Sequence, residues 1–117
     1  MIRKRMLSAW VLSTLIVALA YNSAPQDVQR IEITAKRFAF EPNDITVKKG
    51  VPVVLVFHSE DVTHGIKIND LGLQANIHKG KETVLKFTPT QPGTYHGRCS
   101  HFCGKGHGEM TFTVHVE

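Results

Sequence analysis

From Arg30 onward, apolar and polar residues alternate with a period of two, the pattern of half-buried β-strands. Ile31, Ile33 and Ala35 alternate with polar neighbours, and Phe38 and Phe40 continue the same period. Ile45-Thr46-Val47 is a short strand that ends in a turn at Lys48-Lys49-Gly50. The unbroken apolar run from Val53 to Phe57 predicts a strand covered on both faces. Ile66 and Ile68 alternate again, and Thr83 to Phe87 reads as a further strand. Pro92-Gly93 signals a turn before a strand over Thr94 to Arg98. In the last segment Met110, Phe112, Val114 and Val116 share one face. No window after residue 21 carries a helical period. Short strands separated by turn signals roughly every 8–12 residues predict an all-β protein, a β-sandwich. Phe38, Phe40, Phe57, Phe87 and Phe112 are expected in its core.

The first twenty positions follow another rule. Arg3-Lys4-Arg5 precedes a run from Met6 to Ala20 in which only Ser8, Ser13 and Thr14 are polar, and Ala18-Leu19-Ala20 offers a small-residue cleavage site. This is the pattern of a secretory signal peptide. A membrane anchor reaching through residues 6–21 is the competing reading, although a spanning helix needs about 20 apolar residues. Under either reading the positive end stays in the cytoplasm and the remainder is exported, so an extracytoplasmic (periplasmic) location is expected. The organisation read from this is a targeting segment over 1–20, a polar linker over 21–29 and one domain over 30–117.

Charge adds little once that segment is set aside. The chain of 117 residues has 14 Lys and Arg against 10 Asp and Glu, and Arg3, Lys4 and Arg5 supply most of the excess. The remainder shows no basic stripe with interleaved aromatics, so nucleic acid is not an expected partner.

The chemistry is concentrated in Cys99-Ser100-His101-Phe102-Cys103-Gly104-Lys105-Gly106-His107-Gly108-Glu109-Met110, which reads Cys-x3-Cys-x3-His-x2-Met between two predicted strands. Thiolate and thioether are soft ligands and imidazole is borderline, a set that suits copper rather than magnesium or calcium. A mononuclear electron-transfer site needs two His, one Cys and a weak axial Met. His64, in Asp61-Val62-Thr63-His64-Gly65, can supply the second imidazole, which leaves one thiolate over. Two thiolates could instead bridge two copper ions, each with a terminal His.

These residues resemble the CuA domain of cytochrome c oxidase subunit II, most closely the class with a single membrane anchor. The Asp61-Val62-x-His64 element and the whole Cys99–Met110 loop carry the resemblance. Phe38-x-Phe40-x-Pro42-Asn43-x-Ile45-x-Val47 and Pro92-Gly93-x-Tyr95 add to it. It covers residues 30–117 and implies a Greek-key β-sandwich of the cupredoxin type holding a mixed-valence pair of copper ions. Cys99 and Cys103 would bridge both ions. His64 and Met110 would complete one, and His107 with the main-chain oxygen of His101 the other. The implied role is electron transfer from a cytochrome c-like donor towards a haem in a haem-copper oxidase subunit I. No nucleophile–base pair is found by motif, so no catalytic centre of the chain's own is expected.

Three features depart from the family. Position 101 is His where most oxidase subunits carry a Glu that reaches a magnesium site. The aromatic cluster that receives the electron in long-chain subunits is replaced by Arg37-Phe38-Ala39-Phe40. The N-terminal segment is short. A free-standing carrier, a copper-delivery protein and a mononuclear blue-copper carrier therefore stand beside the oxidase role. A disulfide or a zinc site is the plainer reading of two cysteines, but neither explains Met110. Asp61 either orients His64 through its second N–H or is a solvated turn residue. Glu60, Asp61 and Glu109 could help dock a basic cytochrome, against the plainer reading of scattered surface acids. His58, His78, His96 and His115 are read as ordinary polar positions, with His58 placed near the site if its strand leads directly to His64. Phe102, between the cysteines, would shield the metals or form part of a docking surface.

Overall fold

A computed structural model describes residues 27–117. The targeting segment at 1–20 and most of the linker lie outside the described residues. Nine strands follow in order: β1 (Gln29–Lys36), β2 (Ala39–Glu41), β3 (Asp44–Val47), β4 (Val53–Ser59), β5 (His64–Ile68), β6 (Leu73–Ile77), β7 (Thr83–Phe87), β8 (Gly93–Arg98) and β9 (Thr111–Val116). They form a four-stranded sheet, β2-β1-β4-β7, packed on a five-stranded sheet, β3-β9-β8-β5-β6. The β1–β4 and β3–β9 pairs are parallel and the others antiparallel. The expected all-β Greek-key sandwich is the observed fold. Among the described residues the only helical turns are two short 3-10 segments, Asn69–Leu71 and His107–Glu109. No described helix is long and apolar enough to cross a membrane.

The alternation in the sequence maps onto the two faces of each strand. Phe112, Val114 and Val116 of β9 point inward and are buried, as are Ile33 and Ala35 of β1 and Ile45 and Val47 of β3. In β4, Val56 is fully buried although its neighbours Leu55 and Phe57 face the core, which is what an apolar run in an interior strand predicts. Phe40, Phe57 and Phe112 bind the sheets together. Their rings meet edge to face, with centroids 5.8 to 6.4 Å apart, the arrangement that aromatic quadrupoles favour.

Two core expectations, Phe38 and Phe87, are corrected, and one strand is added. Phe38 is 40% exposed and not in the core. The pairing of Lys36 with Ala39 makes Arg37-Phe38 a two-residue reversal, so the period of two breaks there. Strand β6 carries only a weak alternation, Leu73, Ala75 and Ile77, and is absent from the sequence reading. Phe87 is half-buried and packs against the core from its margin.

Because Phe112 closes the aromatic triad and is fully buried, Phe112→Ala should lower the stability of the metal-free protein by about 3–5 kcal/mol. Chemical denaturation followed by circular dichroism reads this directly. A loss below 1 kcal/mol would show that the triad does not hold the sheets together.

Candidate metal centre

Three connections meet at one end of the sandwich: the β1–β2 turn at Arg37-Phe38, the β4–β5 loop, and the long β8–β9 loop. The last is pinned at its base, where Cys99 N–H donates to Met110 O at 2.9 Å. Its interior is closed by His107 N–H to Gly104 O and Glu109 N–H to Gly106 O, both 3.1 Å. The residues from Cys99 to Met110 are thus a compact excursion from two paired strands.

Five expected donors converge here. Cys99 Sγ lies 4.0 Å from His64 Nδ1 and 4.0 Å from Cys103 Sγ. Cys103 Sγ lies 3.8 Å from His107 Nδ1. The Cys99 thiol donates to the main-chain oxygen of His101 at 3.2 Å. The donor atoms therefore run in the order imidazole, sulfur, sulfur, imidazole, with a carbonyl oxygen beside the first sulfur. The ligand atoms of His64, Cys99 and Cys103 all lie within 4.8 Å of one another. The sulfurs are far beyond the roughly 2.05 Å of a disulfide, and both cysteines are free. His64, Cys99, Cys103 and Met110 are buried, with Met110 part of the core cluster. His107 is half-buried, and the side chain of His101 is exposed.

Asp61 organises this cluster. Its Oδ1 accepts from His64 Nε2 and from the Val62 N–H, each at 2.7 Å, and its Oδ2 accepts from the Arg37 N–H at 2.7 Å. With Nε2 donating, His64 presents the lone pair of Nδ1 towards Cys99, and the tautomer is set by the partner on the far nitrogen. Burial raises the Asp61 pKa, but the hydrogen bonds from Arg37, His64 and Val62 more than offset it and hold the carboxyl at about 2. Asp61 is thus the orienting partner of His64 and not a solvated turn residue.

The Arg37-Phe38 turn grips the loop from outside. Arg37 Nε donates to Cys103 O at 3.0 Å. The Phe38 ring lies so close over Gly104 and Gly106 that a Cβ at Gly104 would sit 2.9 Å from it and one at Gly106 closer still. On the other side a Cβ at Gly65 would collide with Ser100 Oγ and meet the His101 N–H at 3.0 Å. Arg37, Phe38 and Gly65 are therefore positions that shape the loop and that sequence reasoning missed. No local pattern marks Arg37 or Phe38 for these contacts, and Gly65 carries no signal beyond its place after His64. His58 points away from the cluster and lies 3.8 Å from Glu82.

The Cys103 thiol favours its protonated state while no metal is bound. Burial, then the neighbouring Cys99 and Asp61, push the Cys103 thiol up to about 11, against an opposing pull from Arg37. A metal must displace that proton, so its uptake is favoured by rising pH. Two sulfurs, two imidazoles and a carbonyl within reach of one another make a soft, polarisable donor set, with a buried Met close in sequence.

Comparison with known proteins agrees with this geometry. The cupredoxin-like domain family matches residues 8–112. Two curated sequences from Thermus thermophilus, both cytochrome c oxidase subunit 2, are each 30% identical over 87 residues, or 74% of this chain. The chain spans 64% of the length of one and 52% of the other. The periplasmic domain of oxidase subunit II from Bradyrhizobium japonicum superposes with a TM-score of 0.71 at 19% identity, covering 76% of this chain and 83% of that one. A chain of a heme-copper terminal oxidase dimer superposes with a TM-score of 0.69 at 28% identity, covering 76% and 65%. Sandwich topology, the pinned ligand loop and the family match lead to one assignment: the chain belongs to the cupredoxin-like domain family.

Proposed function

We propose that this domain transfers electrons through a two-copper centre of the CuA kind, held by His64, Cys99, Cys103, His107 and Met110 and the main-chain oxygen of His101. The observation that carries the reading is the order of donors, with two sulfurs side by side and one imidazole at each end. A single copper in an electron-transfer site takes one thiolate and two imidazoles. Here the second thiolate stands between the imidazoles, where both sulfurs can be shared. Bound there, copper would supply a one-electron redox couple.

The chain's own residues do the rest. Asp61 fixes the tautomer and ring plane of His64. Arg37 and Phe38 hold the loop against the sandwich, and the buried cysteines keep water from the sulfurs. Donors placed this firmly by the scaffold move little, which favours fast transfer. The relatives' descriptions as subunit 2 of cytochrome c oxidase support a cytochrome c-like donor, a haem-copper oxidase subunit I as acceptor and an extracytoplasmic setting.

Copper loading of residues 21–117 should give two ions per chain and an electron spin resonance spectrum in which one unpaired electron couples equally to two copper nuclei. Cys99→Ser should abolish that coupling. One copper per chain with a single-nucleus spectrum would overturn the two-copper reading in favour of a blue-copper or copper-delivery protein.

Asp61→Asn should weaken copper binding by about 10–100-fold, read by competition with a chelator. The substitution also has a signature without metal. The folded-state pKa of Asp61 lies below its ordinary 3.8, so its contribution to stability is present above pH 4 and is lost as pH falls through about 2. Acid unfolding of the metal-free Asn variant should lack that component. Matching acid-unfolding curves would show that Asp61 does not tie the site together.

A further inference from the structure

We infer that the outer face of the five-stranded sheet beside the metal loop is a docking surface for a protein partner that presents clustered carboxylates. Ile66 and Ile68 of β5 and Gly97 of β8 are buried, so alternation turns Lys67, His96 and Arg98 to the outside. Lys67 and Arg98 are direct cross-strand partners. Like charges placed opposite one another on a sheet destabilise it, and an acid nearby would relieve the repulsion. Among the described residues neither side chain has an ion-pair or hydrogen-bond partner; the ion pairs there join other residues. Two adjoining concavities meet at this pair. One is lined by Gln74, Ser100, Cys99 and His107 as well as Lys67 and Arg98, and no carboxylate lines either.

An uncompensated cationic pair that borders a concavity opening on Cys99 and His107 is suited to a partner whose carboxylates complete it. The acids close to the loop do not offer the opposite surface. Asp61 spends its oxygens on Arg37, Val62 and His64, and the exposed Glu60 and Glu109 line neither concavity. The polarity of the Lys67–Arg98 face is the reverse of that needed to hold a basic cytochrome. Arg98 is covalently next to Cys99, so a partner held here would sit beside the donor cluster. The choice of partner as a redox protein rests on the electron-carrier reading above; the surface itself rests on the charges.

Cytochrome c, a basic haem protein, and the same protein with its lysines succinylated form a probe pair that differs mainly in charge. The succinylated form should shift the backbone amide resonances of Lys67, Gln74, His96, Arg98 and Ser100 in the metal-free protein. The shifts should fade as ionic strength rises. Lys67→Glu with Arg98→Glu should remove them, and Lys67→Glu alone, outside the loop, should weaken them. Native cytochrome c should leave those resonances unmoved. In the copper-loaded protein the same double substitution should slow electron exchange with the succinylated form at least tenfold at low salt. Shifts caused by the native form at these positions, shifts centred elsewhere, or shifts indifferent to the substitutions would overturn the docking surface. If binding occurs as expected while ascorbate fails to reduce the bound copper, the surface stands and the electron-carrier reading falls.

Discussion

The site depends on one carboxylate. Asp61 accepts hydrogen bonds from Arg37 in the β1–β2 turn, from Val62 in its own loop and from His64 at the start of β5. They join the β1–β2 turn to the β4–β5 loop, two connections that on their own would be among the least constrained parts of a sandwich. With Asp61 held ionised well below the ordinary carboxylate range, the turn, the loop and the first strand residue are locked as a unit. Arg37 then carries the constraint across to the ligand loop through Cys103 O. The orientation of an imidazole and the position of a thiol, on segments far apart in sequence, thus share one anchor.

The sandwich supplies what the loops cannot. The edge-to-face triad of Phe40, Phe57 and Phe112 fixes the separation of the sheets, and Met110 and Phe112 leave the loop on the same buried face. The donors are therefore backed by close-packed apolar side chains on one side, while Phe102, His101 and part of His107 are among the loop residues that reach water on the other. Phe102 is 74% exposed and its ring stands 5.8 Å from that of His107. A cluster that is dry behind and thinly covered in front can keep its donors in place and still pass charge to a neighbour.

Most of the fold is legible in the sequence because alternation reports directly which face of a strand is buried. It works for β1, β3 and β9, whose inward positions are fully or almost fully buried, while β4 shows as an unbroken apolar run. It fails for β6, an edge strand whose inward set includes Ala75 and whose burial is partial. It fails again at Phe38, which sits in a reversal two residues long and not in a strand, although Phe40 after it is buried as the period predicts. The donors are legible for a different reason, since Cys-x3-Cys-x3-His-x2-Met places rare side chains close together in one loop. What supports them is not. Gly65 and the grip of Phe38 on Gly104 and Gly106 are contacts between segments distant in the chain, and no local pattern announces which aromatic will cover which glycine.

The hydrogen bond from Cys99 N–H to Met110 O has a consequence for how such a domain can change over time. Both ends of the ligand loop are tied to adjacent antiparallel strands, so everything between them is a cassette with fixed sockets. Its length and donor types can vary while β8 and β9 keep their register. His64 lies outside the cassette, on a strand that belongs to the scaffold. His64 is therefore a fixed neighbour of any loop inserted there, and under the proposed function the number and kind of metal bound would be set by that single exchangeable segment.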